Sequence, residues 1–236
     1  MELHFLGCGA AFDPMMGNTA AYWAEGDRLL LLDCGETVFT RLLQCGVLQG
    51  KKHVYAAISH LHSDHCGSLG SLAFYCKFAL GIRLVLLTPE SESYVRSLTS
   101  LLALYGADTR IYSLMPAETD LGLIGISSLQ YVPTMHAPGM ECFSFVLETP
   151  EGGIFYSADT RTEIPLLDFL DTHDCVHRIY METTLREVPD GVHLPLSRLA
   201  AVLPKELRPV TYLMHLPGPD CRAAGEALGL QTVPVE

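Results

Sequence analysis

The chain has no Cys-x-x-Cys pair: its eight cysteines (8, 34, 45, 66, 76, 142, 175 and 221) are scattered without the density of a disulfide scaffold. Reduced thiols that mostly fill the core of a protein in a reducing compartment are expected. Runs of Lys and Arg are also missing, and the formal net charge is −12. A protein that grips long nucleic acid needs a basic stripe to displace phosphate counterions, so such a partner is disfavoured. A small anionic ligand stays open, because a pair of bound divalent cations would offset the negative charge locally. Apolar runs fall short of the roughly 20 residues that span a bilayer. The opening MELHFLGCGAAF lacks the basic start and unbroken apolar core of a signal peptide, which predicts a cytoplasmic protein without membrane contact. Charged residues make up only 18% against 49% apolar ones, which excludes a disordered chain and allows a core that folds without metal.

Apolar runs of strand length alternate with amphipathic runs of helix length, the pattern of an α/β protein. Strands are predicted at 2 to 6, 19 to 24, 28 to 33, 54 to 59, 83 to 87, 123 to 133, 142 to 149, 153 to 158, 177 to 181 and 210 to 214. Helices are predicted at 36 to 45, 67 to 80, 90 to 105, 163 to 171, 195 to 203 and 220 to 228. Residues 106 to 122, with Gly106, Pro116 and Gly122, form a seam without linker composition, so residues 1 to 236 are read as two halves of one domain. Strands in quick succession between 121 and 158 favour a mixed sheet over a purely parallel one.

Several apolar runs end in an ionisable residue: Asp33, His60, His136, Asp159, Glu182 and His215. In layered α/β folds the strand ends line the ligand crevice, so these six residues can converge on one site. Any one of them alone is more often a satisfied structural residue or a helix cap. The stretch ISHLHSDHCG, residues 58 to 67, reverses that weighting by adding His62, Asp64 and His65. His60 and His62 share one face of extended chain, while Asp64 and His65 fall where the chain turns into a helix. One short loop could serve two adjacent metals.

The run His60, His62, Asp64, His65 stands as the His-x-His-x-Asp-His signature of the metallo-β-lactamase superfamily, and the chain resembles that superfamily over nearly its whole length. FLGCGAAFDP with GNTAAYW is similar to its opening hairpin, LLLLDCGE to its second motif, and MHAPGMECFSFVLE, IFYSADT and TYLMHLPG to the later ones. Gly7-Cys8-Gly9 is no dinucleotide fingerprint, since Phe12 stands where the third Gly would be. The resemblance implies an αββα four-layer sandwich, two mixed β-sheets between helices, with the site at one edge. It implies two divalent metal ions: one on His60, His62 and His136, the other on Asp64, His65 and His215, with Asp159 bridging. Imidazole and carboxylate ligands suit zinc, with manganese or iron as alternatives. Asp33 would fix the tautomer of a ligating histidine. Cys66 reads as a buried small residue, and His4, His53, His173 and His177 as surface or packing residues.

Two metals about 3.5 to 4 Å apart define a hydrolase, with Asp64 also able to orient the attacking water or take its proton. The scissile bond depends on Glu182 and His193. In the superfamily branch of tRNA 3′-processing endonucleases and related phosphodiesterases, a similarly placed Glu and His flank the site, and the His gives a proton to the departing oxygen. The match is partial: Met181-Glu182-Thr183-Thr184 replaces His-Glu-Ala-Thr, and His193-Leu194-Pro195 replaces His-Ser-Thr. A helix cap for His193 and an ordinary strand-end carboxylate for Glu182 are the plainer readings. The Gly/Pro-rich arm with which those endonucleases grip tRNA has no counterpart. The expectation is a phosphodiesterase acting on a small nucleotide-like or short oligonucleotide substrate. The alternatives are a thioesterase, lactonase or β-lactamase-like hydrolase, and a non-catalytic metal- or ligand-binding protein. Many members of the superfamily are homodimers, but no apolar stripe in this sequence marks an interface.

Overall fold

A computed structural model describes residues 2 to 13, 15 to 122, 125 to 189 and 191 to 236. Its first sheet runs in spatial order β1 (His4–Gly7), β2 (Ala20–Glu25), β3 (Arg28–Leu32), β4 (His53–Ala57), β5 (Leu84–Thr88) and β6 (Tyr112–Pro116). The second runs in reverse order, from β12 (Gln231–Thr232) through β11 (Thr211–Met214), β10 (Val176–Glu182), β9 (Gly152–Tyr156) and β8 (Cys142–Thr149) to β7 (Ser128–Thr134). Both sheets are mixed. β1 to β3 form an antiparallel meander and β3 to β6 run parallel; β7 to β9 are antiparallel and β9 to β12 parallel.

The layers follow from how each apolar run divides between two faces. In β3 the consecutive leucines alternate: Leu29 and Leu31 pack toward α1 (Val38–Gln44), α3 (Leu69–Phe78) and α4 (Glu92–Leu104), while Leu30 and Leu32 point at the second sheet. A strand buried on both faces reads as a continuous apolar run, which is why LLLL carries no polar alternation. The middle layer joins Phe5, Leu30, Leu32 and Leu87 to Leu129, Phe145, Leu147, Tyr156 and Tyr180. On the far side, Phe155, Ile179, Met181 and Leu213 pack against α5 (Ile164–Thr172), α6 (Leu196–Val202) and α7 (Pro219–Ala227). The result is helix, sheet, sheet, helix, the expected αββα sandwich. No described helix is long and apolar enough to cross a membrane.

Three differences from the sequence reading have physical reasons. Residues 112 to 116 form β6 inside the stretch read as a seam; it is the edge strand of its sheet, with Leu114 43% exposed, so its pattern is too weak to stand out. The helix expected from residue 67 is preceded by a four-residue turn, α2 (Ser63–Cys66), so Asp64 and His65 are already helical. The strand expected at 123 to 133 is formed only by Ser128–Thr134; residues 123 and 124 lie outside the described residues.

Candidate metal centre

The six strand-end residues come together at one edge of the sandwich. Glu182 closes β10; Asp33 and His215 directly follow β3 and β11; His60, His136 and Asp159 lie two or three positions past β4, β7 and β9. Among the described residues, Asp33, Ala158 and His215 are the non-glycine ones with positive φ, at 64°, 47° and 52°. Each such conformation costs about 1–3 kcal/mol and persists where the surroundings over-determine it, typically at functional sites. Asp33 and His215 are themselves site residues, and Ala158 directly precedes Asp159.

Two groups of donor atoms form. In one, His60 Nε2 lies 3.0 Å from His62 Nδ1, which lies 3.2 Å from His136 Nε2. In the other, Asp64 Oδ2 is 3.3 Å from His215 Nε2 and 3.4 Å from His65 Nε2. Asp159 reaches both: Oδ1 is 3.2 Å from His65 Nε2 and 3.4 Å from His215 Nε2, while Oδ2 is 3.5 Å from His136 Nε2. One oxygen toward each group is the arrangement a bridging carboxylate requires.

Hydrogen bonds behind the site set the tautomers. Asp33 accepts from the Ser59 amide at 2.7 Å, the Ser59 hydroxyl at 3.0 Å and His65 Nδ1 at 2.9 Å. Because the Ser59 hydroxyl donates to Asp33, it accepts from His60 Nδ1, 3.0 Å away. The Val192 carbonyl, an acceptor only, takes the proton of His136 Nδ1 at 2.7 Å. All three Nε2 atoms therefore face the site, and in the neutral ring each carries the lone pair through which imidazole binds metal. Sequence reasoning anticipated Asp33 in this role but missed Ser59 and the Val192 carbonyl; a backbone acceptor leaves no sequence signal.

The donor set fits divalent cations. His65 Nε2 and Asp159 Oδ1 are buried without a hydrogen-bond partner, a costly arrangement unless something cationic joins them. Burial pushes His60 well below its ordinary value, with His65 adding to the effect, and burial likewise lowers His136; both rings stay neutral and ligand-competent. Burial opposes charge on His65, yet the Asp159 and Asp33 carboxylates outweigh it and hold a positive charge there. A metal ion in place of that proton satisfies the same carboxylates. Burial alone would raise Asp64, but the His215 hydrogen bond and the His65 imidazole beside it hold it well below the carboxylate range.

Beside these groups, the fully buried Glu182 accepts from the Thr160 amide at 2.7 Å and from His193 Nδ1 at 3.1 and 3.2 Å. Burial pushes Glu182 up. It also disfavours charge on His193, but the Glu182 hydrogen bond and charge prevail and raise the imidazole to about 9. The pair thus keeps a proton on His193 across neutral pH. A cavity of about 720 Å³ opens over the site, with His62, Asp64, His136, Asp159, Glu182, His193 and His215 in its lining. Every site residue expected from the sequence lies in or directly behind it.

Fold and site together define a metal-dependent hydrolase of the metallo-β-lactamase fold. The structure is similar to the metallo-β-lactamase fold protein YhfI from Bacillus subtilis, with a TM-score of 0.74, 16% identity and coverage of 99% of this chain and 95% of that one. It is also similar to Zn(2+)-bound PqqB from Methylobacterium extorquens, with a TM-score of 0.70, 13% identity and coverage of 100% and 98%. The family model for anti-Pycsar protein Apyc1 matches residues 1–229, and the chain belongs to that family. It is 32% identical over 228 residues to the anti-Pycsar protein Apyc1 of Saccharibacillus brassicae, covering 91% of this chain and 89% of the relative.

Proposed function

We propose that the protein is a phosphodiesterase that hydrolyses small cyclic nucleotides with two divalent cations, zinc by the chemistry of its ligands. His60, His62 and His136 would hold one ion, Asp64, His65 and His215 the other, and Asp159 would bridge them. When bound, such a pair supplies Lewis acidity at the phosphoryl oxygens and lowers the proton affinity of the attacking water. Asp64, held ionised, is available to orient that water.

The observation that carries the choice of bond is the Glu182–His193 pair at the cavity wall. With Nδ1 tied to Glu182, Nε2 is the atom that can give a proton to the pocket. A sugar alkoxide departs as a strong base unless it is protonated as the P–O bond breaks. Thioesters and lactams do not call for a donor held charged by a buried carboxylate, which weakens the thioesterase and β-lactamase-like readings. Membership of the anti-Pycsar family, the modest cavity and the charge of −12 favour a small cyclic substrate over a folded RNA.

His193→Ala tests the assignment. Turnover of a 3′,5′-cyclic nucleotide should fall about 10² to 10⁴-fold, the usual contribution of a general acid. Bis(p-nitrophenyl) phosphate, whose leaving group scarcely needs a proton, should lose less than about tenfold. Equal losses on both substrates would remove His193 from the proton-donor role.

A further inference from the structure

Besides the candidate metal centre, the cavity lining includes Ala10 to Asp13 from the loop between β1 and β2, and Thr183, Thr184 and Arg186 after β10. The first of these segments carries Phe12, which at 99% relative exposure is the most exposed large apolar residue among those described. Its ring is not held by packing. It sits in a turn closed by the Asp13 amide on the Ala10 carbonyl at 3.0 Å, and Asp13 Oδ1 accepts from the Met15 and Met16 amides at 3.0 and 3.1 Å. The base of the turn is tied down as well: the Ala10 amide donates to the Leu216 carbonyl at 3.0 Å and the Gly9 amide to the Gly17 carbonyl at 2.8 Å. Leu216 directly follows His215, so the ring is anchored to the same strand end as the candidate metal centre.

We infer that Phe12 is the platform on which the base of the nucleotide substrate stacks. This rests on the phosphodiesterase reading above. The phosphorus must sit among His62, Asp64 and Asp159 with its leaving oxygen toward His193, so the sugar and base extend toward the mouth. There Ala10 to Asp13 offer a free aromatic face and no side-chain amide or imidazole. Stacking on such a face tolerates every base, since each has a π-surface. The same lining holds Arg186, the one Lys or Arg among its described residues. Its guanidinium offers five donors and no acceptor, suited to base carbonyls or sugar oxygens. Phe12 thus supplies ground-state affinity and Arg186 a polar hold on the same moiety.

Phe12→Ala should raise KM about tenfold for the 3′,5′-cyclic nucleotides of all four bases, with kcat within about twofold of wild type. Phe12→Trp should retain or lower KM. KM for methyl ribofuranoside 3′,5′-cyclic phosphate, which has no base, should not change in either variant. Because the ring is exposed, neither change threatens the fold. A readout independent of turnover comes from the Trp variant, whose fluorescence should be quenched saturably by nucleoside 5′-monophosphates and not by ribose 5-phosphate. An unchanged KM in Phe12→Ala, an equal rise for the base-less ester, or a loss confined to kcat would overturn the platform. If the wild type cleaves no cyclic nucleotide, the phosphodiesterase reading fails on its own, while the quenching still decides whether Phe12 binds a base.

Discussion

Asp33 Oδ2 sits within 3.0 Å of both the Ser59 hydroxyl and His65 Nδ1, and through that pair it orients His60 and His65 together. Glu182 does the equivalent for His193, with a further consequence for pH. The imidazole is lowered by burial but raised more by the Glu182 hydrogen bond and charge, with Asp159 and Asp64 adding to the rise, to about 9. A proton donor must be protonated, so kcat/KM on an alkoxide-leaving substrate should fall as pH rises through about 9. The same raised value means that the pair's contribution to folding is full below the ordinary histidine value of about 6.5 and is lost as pH climbs to about 9. Glu182→Gln removes the largest raising influence. The basic limb of the pH–rate profile should move down toward about 6.5, with the rate at pH 8 reduced. A limb that stays in place would separate Glu182 from the proton donor. At this scale the candidate donors were legible in the sequence because metal-binding residue types recur at the ends of apolar runs. Ser59 was not: a serine beside a histidine carries no pattern until Asp33, from another strand end, meets it.

The elements serve as positioning devices. Strands of both sheets end at one edge, and the loops leaving them are packed so closely that side chains are excluded at particular points. A Cβ on Gly35 would overlap the carbonyl of Asp64, because the segment after β3 runs directly beneath α2. The Cys34 amide confirms the contact by donating to the His65 carbonyl at 2.7 Å. Gly35→Ala should therefore displace Asp64 and His65. We expect a stability loss of about 1–3 kcal/mol, as for other overpacked sites, together with a larger loss of bound metal than an exposed helical Ser100→Ala control. Unchanged melting temperature and metal content would contradict this packing. The sequence showed the strands with two buried faces plainly, and β8 lies at Cys142–Thr149 as its pattern predicts. It hid the edge strands β6 and β12, where one neighbour and partial exposure leave little apolar signal. It also hid the short α2, whose residues are chosen for the site and not for helix formation.

Across the whole molecule, a sandwich with three apolar layers fixes seven candidate donor side chains from four segments of chain, residues 60 to 65, His136, Asp159 and His215. In the proposed reading, the net charge of −12, a cavity of about 720 Å³ and a protonated His193 on its wall select among the reactions such a centre could run. The measurement that bears most directly on this account follows nucleoside monophosphate formation from a 3′,5′-cyclic nucleotide, with metal content determined on the same zinc-loaded sample before and after chelation. The account predicts about two divalent ions per chain, steady product formation, its loss when the ions are stripped and its return when zinc is restored. A metal-replete protein that leaves cyclic nucleotides intact, or turnover that survives removal of the metal, would contradict it.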